Sequence, residues 1–258
     1  MMRSATDTQA ASADAASAFA QPLLRIHDLH AGYGSTDVVH GVDLTLDAGS
    51  SMCLVGPNGA GKSTVLNAVF GLANVHRGQI RVGSADLRQL SAAARLRDVG
   101  IAYVLQEDAI FADLSVEQNL RLGGYLMRDR RCIQDAVDRV LQQYPPLAAR
   151  SKQRAGVLSG GERRTLEIAR ALMMRPRLLL IDEPSIGLDP HSVRQVFDLL
   201  HVLVAAGDTS VLLVEQNVRE GLAFAHQGLV LVGGRVVMVG PGTELMRDRT
   251  VGQIFLGR

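Results

Sequence analysis

Met52-Cys53-Leu54-Val55-Gly56-Pro57-Asn58-Gly59-Ala60-Gly61-Lys62-Ser63-Thr64 is the stretch that decides the fold. Its first four residues are an uninterrupted apolar run, the pattern of a buried strand. Gly56 to Ser63 then fits the phosphate-loop pattern G-x-x-x-x-G-K-[ST] without a mismatch. The glycines let backbone N–H groups converge on phosphate oxygens, helped by the N-terminus of the helix that follows. Val65, Leu66, Val69 and Phe70 recur at helical spacing up to Gly71. Strand, loop and helix therefore predict a nucleotide site in an α/β protein. Gly56, Pro57, Asn58, Gly59, Ala60, Gly61, Lys62, Ser63 and Thr64 form its cradle. Lys62 supplies positive charge to the β/γ-phosphates, and the Ser63 hydroxyl is a Mg²⁺ ligand.

Upstream, Leu24, Ile26 and Leu29 begin a strand-like segment, and Val42, Leu44 and Leu46 alternate with Asp43, Thr45 and Asp47. That alternation predicts a half-exposed antiparallel strand. Downstream, a strand is expected around Gly100–Leu105. Ser115-Val-Glu-Gln118 has the form of a capping box opening a helical stretch to Pro145-Pro146, so residues 114–154 read as a helical insertion. Leu178 to Ile181 and Val211 to Val214 read as buried strands. Between them Asp189 caps a helix with Pro190 at its first position. Leu229–Val232 and Val236–Val239 flank Gly233-Gly234, a hairpin signal.

Two further stretches carry chemistry. Leu180-Ile181-Asp182-Glu183 is a buried strand ending in two carboxylates. Asp182 can hold Mg²⁺ through its water shell, and Glu183 can orient or deprotonate an attacking water. Leu158-Ser159-Gly160-Gly161-Glu162 is a capping box opening a helix with Leu166, Ala169, Leu172 and Met173 on its apolar face. Two glycines at a helix start leave the backbone open to an anion, at a cost to the first turn that an N-cap alone does not explain.

Leu158 to Glu162 resembles the signature motif of the ABC ATPases, and the rest of that family's set appears in order. Tyr33 resembles the A-loop aromatic that stacks on adenine. Gln106 resembles the Q-loop glutamine, near Mg²⁺ and the transmembrane partner. Asp182 and Glu183 match Walker B and the catalytic glutamate, and Ser185-Ile-Gly-Leu-Asp189 resembles the D-loop. The resemblance runs from about Leu24 to Gly257. It implies a P-loop NTPase (RecA-like) mixed sheet core with an N-terminal antiparallel β subdomain and the inserted helical subdomain, one ATPase domain over residues 23–258. It implies ATP and Mg²⁺ as cofactors, Ser63, Gln106 and Asp182 at the metal, and Lys62 and Glu183 in catalysis. Two cassettes pack head to tail, so Ser159, Gly160, Gly161, Glu162 and Asp189 act at a site shared with the other chain. Most members place a histidine just past the strand after the D-loop helix. Here that position falls on Gln216, with His201 and His226 the nearest histidines. Glutamine can donate an amide N–H to a γ-phosphate but is neutral at every pH.

Finer similarities point to the LivF-type cassettes of the branched-chain amino-acid uptake group: Ala31-Gly-Tyr-Gly34, Gly100-Ile-Ala-Tyr-Val104, Asn119-Leu-Arg-Leu-Gly123 and Val214-Glu-Gln-Asn217. That group implies a second ATPase subunit (a different cassette or a copy of this one), two transmembrane permease subunits and a periplasmic binding protein. It also implies a place on the cytoplasmic face of the membrane. Urea and short-amide importers and the lipopolysaccharide exporter have similar cassettes. The chain departs from the LivF-type pattern at Leu188-Asp189-Pro190, where that pattern reads Leu-Ala-Pro.

Composition narrows the alternatives. With 27 Lys+Arg against 26 Asp+Glu there is no basic footprint, and no nucleic-acid partner is expected. Cys53 and Cys132 lack a CxxC partner, which argues against a zinc site or disulfide framework and for a reducing, cytosolic setting. No window approaches the roughly 18 apolar residues of a membrane span. Residues 1–22 lack the apolar centre of a secretory signal and read as a disordered tail. A soluble, non-transport ABC protein usually carries two cassettes or a long coiled-coil insertion. A P-loop GTPase needs an Asn-Lys-x-Asp segment. Neither feature occurs here.

Overall fold

The computed structural model describes residues 22–107 and 109–256, so the expected tail up to residue 21 lies outside the described residues. In chain order the strands are β1 (Leu24–Tyr33), β2 (Thr36–Leu46), β3 (Ser51–Val55), β4 (Asn74–Val82) and β5 (Ala85–Asp86). There follow β6 (Ile101–Val104), β7 (Leu178–Asp182), β8 (Ser210–Glu215), β9 (Gln227–Val232) and β10 (Arg235–Pro241). The helices are α1 (Lys62–Phe70), α2 (Ala92–Ala94), α3 (Val116–Gly123), α4 (Arg130–Gln143) and α5 (Pro145–Ala148). After them come α6 (Gly160–Ala171), α7 (Pro190–Ala205), α8 (Val218–Phe224), α9 (Gly242–Leu245) and α10 (Arg249–Leu256).

Two sheets result. An antiparallel sheet runs β2-β1-β4-β5 and presses its alternating apolar residues, such as Leu24, Ile26, Leu44 and Leu46, inward. Residues 74–82 show no regular apolar period in the sequence, because only Ile80 and Val82 of β4 are buried. The second sheet runs β10-β9-β3-β8-β7-β6, parallel except for β10. β3, β7 and β8 are buried along their whole length, which is why they read as continuous apolar runs.

One core fills the space between the two sheets and takes in α1. A second lies on the other face of the parallel sheet beneath α7, α8 and α10. A third belongs to the helices: Val116 and Leu120 of α3 and Val137 and Val140 of α4 pack on Leu166 and Ala169 of α6. The helical body thus extends past residue 154 and includes α6, whose apolar face supplies part of that core. Both capping boxes form, Ser115 with Gln118 and Ser159 with Glu162, and Asp189 caps α7 ahead of Pro190. Among the described residues no helix is long and apolar enough to cross a membrane.

Candidate nucleotide site

Neighbouring parallel strands bring their C-terminal ends to one edge, the edge where open α/β sheets bind ligands. β3 ends in the phosphate loop, β7 in Asp182, β8 in Glu215, and β6 leads to Gln106. Strand pairing sets Val55 opposite Glu215 and Asp182 opposite Val214, so groups more than a hundred residues apart share one cleft.

Gly61 caps α1 with φ 95°, a left-handed conformation only glycine adopts freely, and a Cβ there would lie 2.7 Å from Val39 Cγ1. The turn it permits folds the loop over the start of α1. Lys62 is buried, and its Nζ donates to the carbonyl oxygens of Gly56 (2.9 Å) and Pro57 (3.3 Å). The Ser63 hydroxyl donates to Asp182 Oδ1 at 3.0 Å. Glu183 stands at the turn after β7 with φ 46°, also left-handed, its N–H bound to the Val214 carbonyl at 2.8 Å. A non-glycine residue in that region costs about 1 kcal/mol or more and persists only where the surroundings enforce it. Its carboxylate is 3.9 Å from Lys62 Nζ and accepts from Gln106 Nε2 at 3.2 Å.

Burial raises the Asp182 carboxyl above the usual carboxylate range, against hydrogen bonds from Ser63 and Tyr103 that lower it. Burial also raises Glu183, with Asp182 and Glu215 adding to the shift and Lys62 opposing it. A raised carboxyl is the better proton acceptor, as a general base requires.

Asn58, Gly59, Ala60, Gly61, Lys62, Ser63, Thr64, Gln106, Glu183 and Gln216 line one cavity of about 400 Å³, closed at its sides by Val38 and Ile186. Gln216 is exposed in this cavity, and no histidine lines it. Tyr33 is not among the lining residues. It is half-exposed at the end of β1, and its hydroxyl accepts from Asn67 Nδ2 of α1 at 2.8 Å. Ser159, Gly160, Gly161 and Glu162 also lie outside it, at the start of α6, where Gly160 borders a separate cleft with Ile186, Gly187 and Leu188. The Asp189 carboxylate is turned to its own helix, accepting from the N–H groups of His191 and Ser192 and from the Ser192 hydroxyl at 2.6 Å. Gly161 also has a reason other than anion access: a Cβ there would lie 2.6 Å from Ser192 Oγ, so glycine lets α6 seat on α7.

Sequence reasoning passed over three groups that hold this site together. The Tyr103 hydroxyl donates to Asp182 Oδ2 at 3.2 Å, and burial drives its own pKa far up. Arg164 of α6, paired with Glu167 at 2.7 Å, donates to the carbonyl oxygens of Leu105 (2.9 Å) and Gln106 (3.1 Å) and so fixes the Gln106 loop. Glu215, fully buried, accepts from the N–H groups of Ser185 (3.0 Å) and Asn217 (2.9 Å), tying the loop after Glu183 to the loop carrying Gln216. The only local signal for these is a charged or phenolic residue inside an apolar run or on a helix's inner face.

A strand feeding a phosphate loop, two carboxylates at the end of the next strand but one, and a capped glycine-rich helix start define a nucleotide-hydrolysing cassette. The chain belongs to the ABC transporter family, whose profile matches residues 39–186, and it is an ATP-binding subunit of the kind that hydrolyses ATP. It is 38% identical over 235 residues to the probable branched-chain amino acid transport ATP-binding protein LivF of Archaeoglobus fulgidus, covering 91% of this chain and 99% of that one. It is 40% identical over 225 residues to the high-affinity branched-chain amino acid transport ATP-binding protein BraG of Pseudomonas aeruginosa, covering 87% and 95%. The lipopolysaccharide export system ATP-binding protein LptB of Escherichia coli is 36% identical over 236 residues, covering 91% and 97%. Among solved structures, an ATP-binding cassette of an ABC transporter in its ADP conformation superposes with a TM-score of 0.82 at 24% identity, covering 92% of this chain and all of that one, which shows the shared fold.

Proposed function

We propose that this chain powers import of branched-chain amino acids as one half of a head-to-tail cassette dimer, peripheral to the cytoplasmic face of a membrane. A second cassette, two permease subunits and a periplasmic binding protein complete the assembly. The observation that carries the two-chain reading is the separation of Ser159 from the cavity holding Lys62, Ser63 and Glu183. A signature serine outside its own chain's phosphate-loop cavity is what the head-to-tail reading expects, with the serine serving the nucleotide of a facing chain.

In this reading Lys62 moves from its carbonyl partners to the β/γ-phosphates, and the loop N–H groups of residues 58–63 bind their oxygens. Glu183 accepts the proton of the attacking water, and Gln106 orients that carboxylate. Gln216 donates an amide hydrogen to the γ-phosphate, the task most family members give to histidine. Mg²⁺ fits here on the chemistry of the donors: the Ser63 hydroxyl and the Asp182 carboxylate are oxygen ligands side by side, with Tyr103 holding the second carboxylate oxygen. It would neutralise charge on the phosphates. Tyr33 would stack on the adenine, and Asp189 would contribute at the dimer interface through the helix it caps.

A membrane partner is supported by an apolar cleft of about 650 Å³ between the sheet and the helical body, beside Gln106. Exposed Leu105, Phe111, Leu122 and Tyr125 line it. A permease segment docked there would reach the Gln106 loop directly. The names of the relatives at 38% and 40% identity support the branched-chain amino-acid cargo, and the 36% match to an exporter cassette favours lipopolysaccharide as the second reading. The test is ATPase activity of the chain reconstituted with its neighbouring-gene permeases in proteoliposomes. Leucine with its binding protein should stimulate the rate. Stimulation by lipopolysaccharide and none by any amino acid would overturn the importer reading.

A further inference from the structure

The antiparallel sheet carries a second cluster of chemistry that nucleotide hydrolysis does not use. His30 of β1 pairs across the ladder with His40 of β2, and Asp37 of β2 stands opposite Gly32. One ligand atom each from His30, Asp37 and His40 lies within 4.8 Å of the others. His30 Nδ1 is 3.5 Å from Asp37 Oδ2. Bond lengths of about 2.1 Å at a tetrahedral Zn²⁺ put neighbouring ligands about 3.4 Å apart, so this pair already stands at the required spacing.

The surroundings fix which atoms are free to bind. The other ring nitrogen of His30, Nε2, is 3.2 Å from Asp28 Oδ1, and Arg77 Nε holds the second Asp28 oxygen at 2.8 Å. A carboxylate only accepts, so Nε2 donates to Asp28, and Nδ1 is the nitrogen turned towards Asp37. A metal ion bound between Nδ1 and Asp37 Oδ2 takes the place of a proton there, and binding releases it. A histidine whose far nitrogen donates to a carboxylate is the usual support behind a metal ligand. Asp37 is held in the same way: His76 Nδ1 is 2.5 Å from Asp37 Oδ1, and His76 Nε2 is 3.0 Å from the Gly34 carbonyl oxygen. Both of those partners accept, so His76 donates from both nitrogens and braces Asp37 without being a ligand itself.

We propose that His30 Nδ1, Asp37 Oδ2 and a ring nitrogen of His40 bind a Zn²⁺-class transition-metal ion, with water in the fourth position. Two imidazoles and a carboxylate suit Zn²⁺, Co²⁺ or Ni²⁺ and not Mg²⁺, which demands oxygen ligands. His30 and Asp37 side chains are 22% and 30% exposed, which leaves the ion an entry path. Through His76 and Gly34 the site is joined to the turn that follows Tyr33. It is independent of the transport reading.

The test uses the tag-free, full-length, chelator-stripped chain, titrated with Zn²⁺ against a chromophoric competitor. Cys132→Ser and Asp182→Asn backgrounds remove the exposed thiol and the phosphate-loop carboxylate as rival donors. One equivalent should bind in both backgrounds, and Co²⁺ should give a tetrahedral visible absorption. Asp37→Asn, which keeps the shape, and His30→Ala should each weaken Zn²⁺ by more than about 100-fold, and His76→Gln by roughly 10–100-fold, the worth of an outer support. Metal-free unfolding temperatures identify any variant that has lost its fold, and Asp37→Asn then decides alone. Zn²⁺ affinity unchanged in Asp37→Asn, or no equivalent bound by the wild type, would overturn the proposal.

Discussion

Replacing Glu215 by leucine tests how the loop after Glu183 and the loop carrying Gln216 are joined. Its carboxylate has no solvent exposure and accepts from Ser185 N at 3.0 Å and Asn217 N at 2.9 Å. Leucine fills similar space but leaves both N–H groups without their acceptor. An orphaned buried donor costs about 1–3 kcal/mol. These two are only part-buried at the mouth of the cavity, so water offsets some of the loss and the low half of that range applies. The sum is about 2–4 kcal/mol. For a chain of this size each kcal/mol lowers Tm by about 2–4 °C, so calorimetry should find a drop of about 4–16 °C. Glu215→Gln keeps one acceptor oxygen and should cost about half as much. It also removes a charge that raises the Glu183 carboxyl. Glu183 then stays ionised to lower pH, and the acid limb of the pH–rate profile should move to lower pH. A leucine variant within about 0.5 kcal/mol of wild type would refute the tethering argument. An unmoved acid limb in Glu215→Gln would refute the coupling to Glu183.

Glu183→Gln should retain ATP affinity and lose about 10²–10⁴ in single-turnover rate, the usual worth of a general base, whereas Lys62→Ala should weaken binding itself. Equal loss of affinity in both variants would sink that division of roles. Because burial raises Glu183, wild-type activity should fail, as pH drops, above the range of an ordinary glutamate. A profile flat to the ordinary range counts against Glu183 as the base. In the assembled complex Gln216→His should hydrolyse faster than wild type and Gln216→Ala slower; alanine at wild-type speed would remove Gln216 from the mechanism. Gly161→Ala puts a Cβ 2.6 Å from Ser192 Oγ and should cost about 1–3 kcal/mol by overpacking. Ser192→Gly in the same chain should recover part of it, and no recovery in calorimetry would place the strain elsewhere.

Much of this protein is written locally. The phosphate loop needs glycines, Lys62 and Ser63 within eight consecutive residues between a strand and a helix, so the family was readable from Gly56–Ser63 and Leu158–Glu162 alone. The parallel strands announced themselves because burial on both faces forces unbroken apolar runs such as Leu178 to Ile181. The helix caps at Ser115, Ser159 and Asp189 were equally visible, since a cap is a contact between residues two or three apart. β4 was not legible, because a strand with two buried residues has too little alternation to register. Nor were Tyr103, Arg164 and Glu215, whose partners Asp182, Gln106 and Ser185 lie 79, 58 and 30 residues away. The glycine at 161 was visible, but its packing against Ser192 required the crossing of α6 and α7. The cluster of His30, Asp37, His40 and His76 likewise exists only where the β1, β2 and β4 registers set four polar residues on one patch. Short-range hydrogen bonding and burial pattern are properties of the chain, whereas strand register and helix crossing are decided by packing, and only they determine which distant side chains meet.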